Sequence, residues 1–277
     1  MKKFMVILLS LAMVFAVVGC TKEDEKKPEE KEKFVVGMEV DSAPFNYQLS
    51  EPTNTSVAIE TGYADGYDVM MAKAIADALG RELVIKKIVW EGLIPALVNG
   101  EIDAIIGDMT ATEEREKSVD FTTPYYDPGE TGEVIIVKEN SPYVNYTDIQ
   151  QFSGVRLIAQ FNTINDEAVD LINGVIHVTP KATYPLLVLA LQQDEAEGIV
   201  CSRAEATAMM TGQTGLKVVT FEAGHGFDID ASVSIAMQEG TRGGEFFNAV
   251  QKALDNISNE QRDLYMVDAI AKMPVEE

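Results

Sequence analysis

Residues Ile102–Glu116 read IDAIIGDMTATEERE. The first part, Ile102–Gly107, is short, apolar and β-branched, as expected of a strand buried on both faces. The run stops at Gly107. An acid, two hydroxyl residues, two more acids and an arginine follow. If the strand belongs to a parallel sheet, residues 108–112 lie at its carboxyl edge, the usual ligand side of an open α/β fold. Thr112 can then cap a helix whose first turn holds Glu113 and Glu114. Arg115 projects one turn further on. Backbone N–H groups, a threonine hydroxyl and a guanidinium would converge there, an arrangement suited to a carboxylate. The alternative is a solvated helix on which Arg115 pairs with Glu114, Glu116 or Asp120.

The flanking sequence supplies the parallel sheet. Phe34–Val40 (FVVGMEV) predicts a strand, and APFNY turns away from it. GYDVMMAKAIADALG places Val69, Ala72, Ile75, Ala76 and Leu79 on one helical stripe closed by Gly80. ELVIKKIVW predicts a strand running to Trp90. GLIPALVNG predicts a short helix, with Pro95 tolerable only near its first turn. A second series follows EVIIVKEN. Its strands are Val155–Ala159, Val175–Val178, Gly198–Cys201 and Leu216–Thr220, with helices at INDEAVDLI, TYPLLVLALQQ and RAEATAMMTG. ASVSIAM returns to strand, and two helices close the chain. Strands alternating with helices imply two α/β units.

The first residues belong to neither unit. Lys2 and Lys3 precede FMVILLSLAMVFAVV, a signal-peptide layout too short for a membrane span. It ends Val17-Val18-Gly19-Cys20, which resembles the lipobox of bacterial lipoproteins. Residues 1–19 are therefore expected to be a signal peptide, and Cys20 the lipidated new N-terminus. Residues 20–33 are expected to be a disordered tether; from Thr21 to Lys33 five lysines face six acids with no apolar residue. The acidity thus lies on the folded part.

The whole chain has 277 residues, 46% of them hydrophobic, and a formal net charge of −23. It can bury a core. The charge excludes nucleic acid as a partner, since phosphate binding needs basic patches. With Cys20 lipidated, Cys201 has no disulfide partner. His177 and His225 are far apart in sequence and form no metal motif. No glycine-rich phosphate loop, G-x-S-x-G or H-E-x-x-H occurs. No metal or cofactor is expected.

The pieces VGMEVDSAPFNY, GYDVMMAKAIADALG, WEGLIPALVNGEIDAIIGDMTATEEREKSVDFTTPYY and VRLIAQFNT occur in that order. Together they resemble the extracytoplasmic solute-binding proteins, family 3, of bacterial polar amino-acid ABC transporters. The resemblance implies a two-lobe α/β periplasmic-binding-protein fold with two hinge crossings, near Gly132–Ile135 and Ser232–Ser234. Lobe one would be residues 34–131 and 234–277, and lobe two residues 132–233. It implies an amino acid bound between the lobes and delivered to a membrane permease and its ATPase by a lipid-anchored, extracytoplasmic monomer. By the same resemblance Arg115 clamps the ligand's α-carboxylate, helped by Thr110, and Asp108 offers its carbonyl to the α-amino group. Trp90 packs on the ligand side chain, while Thr163, with Asn162 and Gln160 beside it, closes from lobe two.

Many relatives place an acid at the end of a lobe-two strand to bind the α-ammonium, and the matching position here is Ser202. A hydroxyl cannot supply that charge. Asp108, where many relatives have a small residue, and Glu205, one turn along, are the candidate replacements. Glu39 and Asp41 occupy positions where relatives that bind basic amino acids use acids. With the Trp90 face, they point to a cationic ligand side chain. The alternatives are a neutral, glutamine-like ligand, with Glu39 and Asp41 as solvated acids, or an enzyme of the cyclohexadienyl-dehydratase type recruiting one of them as acid or base.

Overall fold

The computed structural model describes residues 31–129, 132–211 and 213–274. The signal peptide, Cys20 and the tether up to residue 30 lie outside the described residues. At Lys33 the chain is already strand, one residue earlier than the sequence boundary, because the Glu32 carbonyl accepts from the Glu82 N–H at 2.8 Å and starts the ladder.

The first stretch forms β1 (Lys33–Met38), β2 (Asp41–Ser42), β3 (Asn46–Leu49), β4 (Val57–Ala58), β5 (Tyr63–Asp65), α1 (Tyr67–Leu79), β6 (Glu82–Lys87), α2 (Leu93–Val98), β7 (Ala104–Ile105) and β8 (Val119–Tyr126). The middle forms β9 (Glu133–Lys138), β10 (Arg156–Ile158), α3 (Ile164–Val169), β11 (Ile176–His177), α4 (Tyr184–Gln192), β12 (Gly198–Ser202), α5 (Arg203–Met210) and β13 (Leu216–Val219). The last stretch forms β14 (Val233–Gln238), α6 (Glu245–Asp255) and α7 (Asn259–Lys272).

These strands make two five-stranded sheets. One has the order β6-β1-β7-β14-β8, the other β11-β10-β12-β9-β13. In each, the strands nearest one edge are parallel and joined through helices. β14 returns from the second series to pair antiparallel with β7 and β8. The result is a two-lobe α/β fold. The apolar run of β9 is buried on both faces: Ile135 and Val137 pack to one side, Val134 and Ile136 to the other. No helix of the described residues is long and apolar enough to cross a membrane.

α1 follows its predicted stripe, with Val69, Ala72, Ile75 and Ala76 buried and Gly80 in the left-handed cap conformation. It starts at Gly66, φ 123°, where a β-carbon would stand 2.4 Å from the Phe45 carbonyl oxygen; only glycine fits. Three expectations are corrected. β6 stops at Lys87 and does not reach Trp90, which opens a 3-10 turn at Trp90–Gly92. Its partner β1 ends at Met38, and Val40 at φ 58° turns the chain away, so the ladder has nothing left to pair with. The buried strand Ile102–Gly107 shortens to β7. Thr112 does accept the Arg115 N–H at 3.2 Å, yet what it caps is a single 3-10 turn, Arg115–Lys117, cut short by β8.

A buried polar network ties the first sheet to its excursion. Asp68, in the first turn of α1, accepts from the Asn46 amide at 2.7 Å and from the Tyr125 hydroxyl at 2.6 Å. Asn46 in turn accepts from the Val40 N–H at 2.7 Å, and the Tyr125 oxygen accepts from the Asp108 N–H at 3.3 Å. Burial holds the Asp68 carboxyl up at about 6. Tyr125→Phe removes a donor to a buried carboxyl and an acceptor for a backbone N–H at once. It is expected to cost about 1–3 kcal/mol, read as a lower denaturation midpoint in urea.

Candidate functional site

The sequence elements that end at sheet edges meet in one cavity between the two sheets. β1 delivers Glu39, β7 delivers Asp108 and Thr110, and β10 delivers Gln160, two residues before Asn162. β12 delivers Ser202, with Glu205 in α5 behind it. Glu133 opens β9, and the ladder sets it directly opposite Ser202. All these positions lie at the carboxyl edges of parallel strands or beside them, which is why strands of both sheets aim at the same space. The cavity volume is about 40 Å³, room for a few water molecules.

Two residues bend the backbone into it. Asp108 has φ 53° and Asn162 φ 60°. Asp and Asn tolerate the left-handed region best among residues with a side chain, and such strain gathers at functional sites. The turn at Asn162 presents its carbonyl to the first sheet. That oxygen accepts from Trp90 Nε1 at 2.9 Å and from Arg115 at 3.2 Å. Arg115 donates with its other terminal nitrogen to the Thr110 carbonyl at 2.9 Å, and its guanidinium lies 5.2 Å from the Trp90 ring centre. The acids that a solvated helix would offer Arg115 pair elsewhere. Glu114 pairs with Lys117, while Glu116 and Asp120 pair with Arg242.

The remaining lining is acidic. The Gln160 amide bridges the sheets, donating to the Glu39 carboxylate at 3.0 and 3.3 Å and to the Ala182 carbonyl at 2.9 Å. Burial nevertheless raises Glu39 to about 7. Ser42 donates to Asp108 at 3.2 Å. Asp108 and Glu205 approach each other across the cavity; burial, followed by their mutual repulsion for Asp108, holds both well above the carboxylate range. Glu133 is raised to about 8 by burial and the nearness of Asp108, and neither of its oxygens has a partner. Among the described lining residues four carboxyls thus face one guanidinium.

Some expected residues sit differently. Ser202 is a helix cap: its hydroxyl accepts the Glu205 N–H at 3.2 Å and Glu205 accepts the Ser202 N–H at 2.9 Å. The Thr163 hydroxyl is likewise spent as the cap of α3, accepting from Asp166 and donating to the Gln160 carbonyl. Asn162 contributes its carbonyl, while its side chain is exposed. Asp41 does not line the cavity with Glu39; the kink at Val40 turns it into a neighbouring groove beside Lys87 and Met209. The Trp90 ring is engaged by Arg115 in this structure. Glu133, Tyr184 and Asn165 line the cavity without having been expected. Glu133 left one signal, an acid opening the apolar run EVIIV.

A model of the bacterial extracellular solute-binding proteins, family 3, matches residues 34–264. The arginine-binding extracellular protein ArtP of Bacillus subtilis is 29% identical over 60% of this chain, and the match spans 59% of that relative's length. A glutamine-binding protein of Geobacillus stearothermophilus is 29% identical over 71% of this chain and 79% of its own. Among solved structures, the arginine-bound form of truncated ArgBP from T. maritima superposes with a TM-score of 0.67 at 29% identity, covering 82% of this chain and 96% of that one.

The raised carboxyls set a pH dependence. Glu39 and Glu133 hold protons in the folded chain that they release when unfolded at neutral pH, so the folded state binds more protons. Stability is then greatest near the ordinary carboxylate range and declines as pH rises toward about 8. The melting temperature is expected to fall from about pH 5 to about pH 8, and Glu133→Gln to flatten the decline. Thermal denaturation across that range checks both.

Proposed function

The chain belongs to the bacterial extracellular solute-binding proteins, family 3, and on that premise we propose that it is the amino-acid receptor of an ABC transporter, selective for a ligand with a cationic side chain. The single observation that carries the reading is the charge arrangement: one guanidinium, held by carbonyls of both sheets, facing four carboxyls in one cavity. Arg115 would clamp the α-carboxylate. Its two carbonyl contacts occupy two of the five guanidinium donors, leaving others for a ligand. Asp108 would take the place of the acid missing at Ser202, and Glu39 would face the cationic end. The arginine-binding relative favours this choice, while the glutamine-binding one keeps a neutral ligand as the competing outcome.

In this reading, residues 34–131 and 234–277 form one lobe and 132–233 the other. The cavity lies between the two sheets, so in this reading the lobes part about the two crossings to admit a ligand and close over it. Lipid on Cys20 would hold the receptor at the outer face of the membrane beside its permease. In this reading the chain binds its ligand without transforming it, which the family's description as solute-binding proteins supports.

Calorimetry with arginine, lysine and glutamine tests the proposal. Arginine or lysine is expected to bind more tightly than glutamine, and Glu39→Gln to narrow the gap. A preference for glutamine that ignores Glu39 would leave a receptor of neutral amino acids. Arg115→Ala and Arg115→Lys are both expected to weaken binding by about a hundredfold or more, since lysine cannot make the bidentate fork. Cys20→Ala is expected to move the protein from the membrane fraction to the medium, or to leave it unprocessed. Unchanged fractionation would refute the anchor.

A further inference from the structure

The cavity between the sheets does not end in solid protein. Beside it lies a groove of about 220 Å³, against about 40 Å³ for the cavity itself. Tyr184 and Glu205 line both spaces, and the Tyr184 hydroxyl donates to the Glu205 carboxyl. One tyrosine and its carboxyl partner therefore form a wall between the two. The chain crosses the same boundary just after β1. Glu39 lines the cavity, whereas Val40 and Asp41 line the groove, because the turn at Val40 (φ 58°) separates them. The wall thus stands at the Glu39 end of the cavity. Two further observations agree. The Glu39 and Glu205 carboxyls are near enough to repel each other. The Gln160 amide that holds Glu39 also donates to the Ala182 carbonyl, two residues before Tyr184. Tyr184 itself is fixed: it is 8% exposed, it opens α4, Pro185 follows it, and the Leu187 N–H donates to the Thr183 carbonyl at 3.2 Å to begin the helix. Beyond its ring the groove has an apolar side, formed by Val188, one turn along α4, and by Ala208 and Met209 of α5. β3 and β6 add Gln48 and Lys87, bonded to each other at 2.7 Å.

We infer that Tyr184 is the length-determining residue of the site: its ring closes the cavity behind Glu39 and restricts the ligand to amino acids whose side chain ends at that carboxyl. The inference rests on the receptor reading, in which Glu39 faces the ligand's cationic end. A side chain whose terminal nitrogen carries an alkyl substituent has to enter the space that the ring fills. A buried ring in a packed wall yields only if its neighbours shift, and overfilling a packed site is costly. The groove behind the ring holds the room that a longer ligand needs, and Val188 and Met209 suit an alkyl group there. The ring does the blocking. The hydroxyl, through Glu205, only positions it, so phenylalanine at this place keeps the limit while a small residue joins the two spaces.

Calorimetry with L-arginine and Nω-propyl-L-arginine, on the native protein, Tyr184→Phe and Tyr184→Gly, tests the limit. The propyl compound keeps the charge and adds a short alkyl chain. The native protein and Tyr184→Phe are expected to bind it about tenfold or more weakly than arginine. Tyr184→Gly is expected to bring the two ligands within about twofold. If glutamine proves to be the ligand, glutamine and its N-ethyl amide take their places. Equal native affinity for both members of the pair, or a gap in Tyr184→Gly as wide as the native one, overturns the inference and leaves the receptor standing. Tyr184→Leu, smaller than tyrosine yet apolar, repeats the comparison should the glycine variant fail to fold. Met209→Ala probes the far side of the wall without touching it. Alone, it is expected to leave arginine binding unchanged; a loss would mean that the ligand already reaches the groove, and would overturn the partition. Combined with Tyr184→Gly, it is expected to weaken the propyl compound and not arginine. Binding of neither arginine, lysine nor glutamine sinks the receptor reading instead. The crystal structure of Tyr184→Gly then decides the wall by itself: one continuous space from Asp108 to Met209 keeps Tyr184 as the partition, and two separate spaces overturn it.

Discussion

One backbone carbonyl holds the two sheets in register over the site. The Asn162 oxygen accepts from Trp90 and from Arg115, both on the first sheet's side of the cavity. It can do so because Asn162 takes the left-handed conformation, which turns the carbonyl out of line with β10. The contact places the guanidinium against the Trp90 ring, in the same cavity as the carboxyls. Without that carbonyl, Arg115 would be a flexible cation on a one-turn helix among acidic neighbours, and exposed ion pairs of that kind contribute little.

The opposing constraint is the cost of gathering carboxyls in a place that water barely reaches. A buried carboxylate is held up in energy unless it is paired or hydrogen-bonded. Glu39 meets the requirement in part through Gln160, and Glu205 through Ser202 and Tyr184. Glu133 does not meet it at all. The scaffold tolerates this because the acids sit on rigid positions: the first residue of β9, the first turn of α5, and a strand end anchored by the Asp68–Tyr125 pair. Gathering buried carboxyls in this way lowers the stability of the fold around them.

The anchoring network also explains why a loop residue can be positioned so closely. Asp108 follows a strand of two residues, too short to orient it alone. The Tyr125 hydroxyl fixes its N–H, and Asp68 fixes that hydroxyl. Asp68 is itself held by the Asn46 amide. The chain of hydrogen bonds runs from β3 through α1 and β8 to the cavity wall, so the first sheet's core and the site share one set of polar contacts.

Hydrophobic periodicity made α1, its glycine cap and the alternating strand–helix order legible, because burial of one stripe or one strand is a local pattern. The IIGDMT stretch placed Asp108, Thr110 and Arg115 at a sheet edge for the same reason: a strand end and a polar run are visible in neighbouring residues. The pattern could not show that Val40 turns Asp41 away from Glu39, since that depends on an Asn46 side chain six positions on. It could not show that the Ser202 and Thr163 hydroxyls are consumed as helix caps, nor that the aromatic face of Trp90 belongs to Arg115. Above all it could not bring Glu133 beside Asp108 and Glu205. Their meeting is set by strand register and by the approach of two sheets, which are long-range pairings that no local spacing encodes.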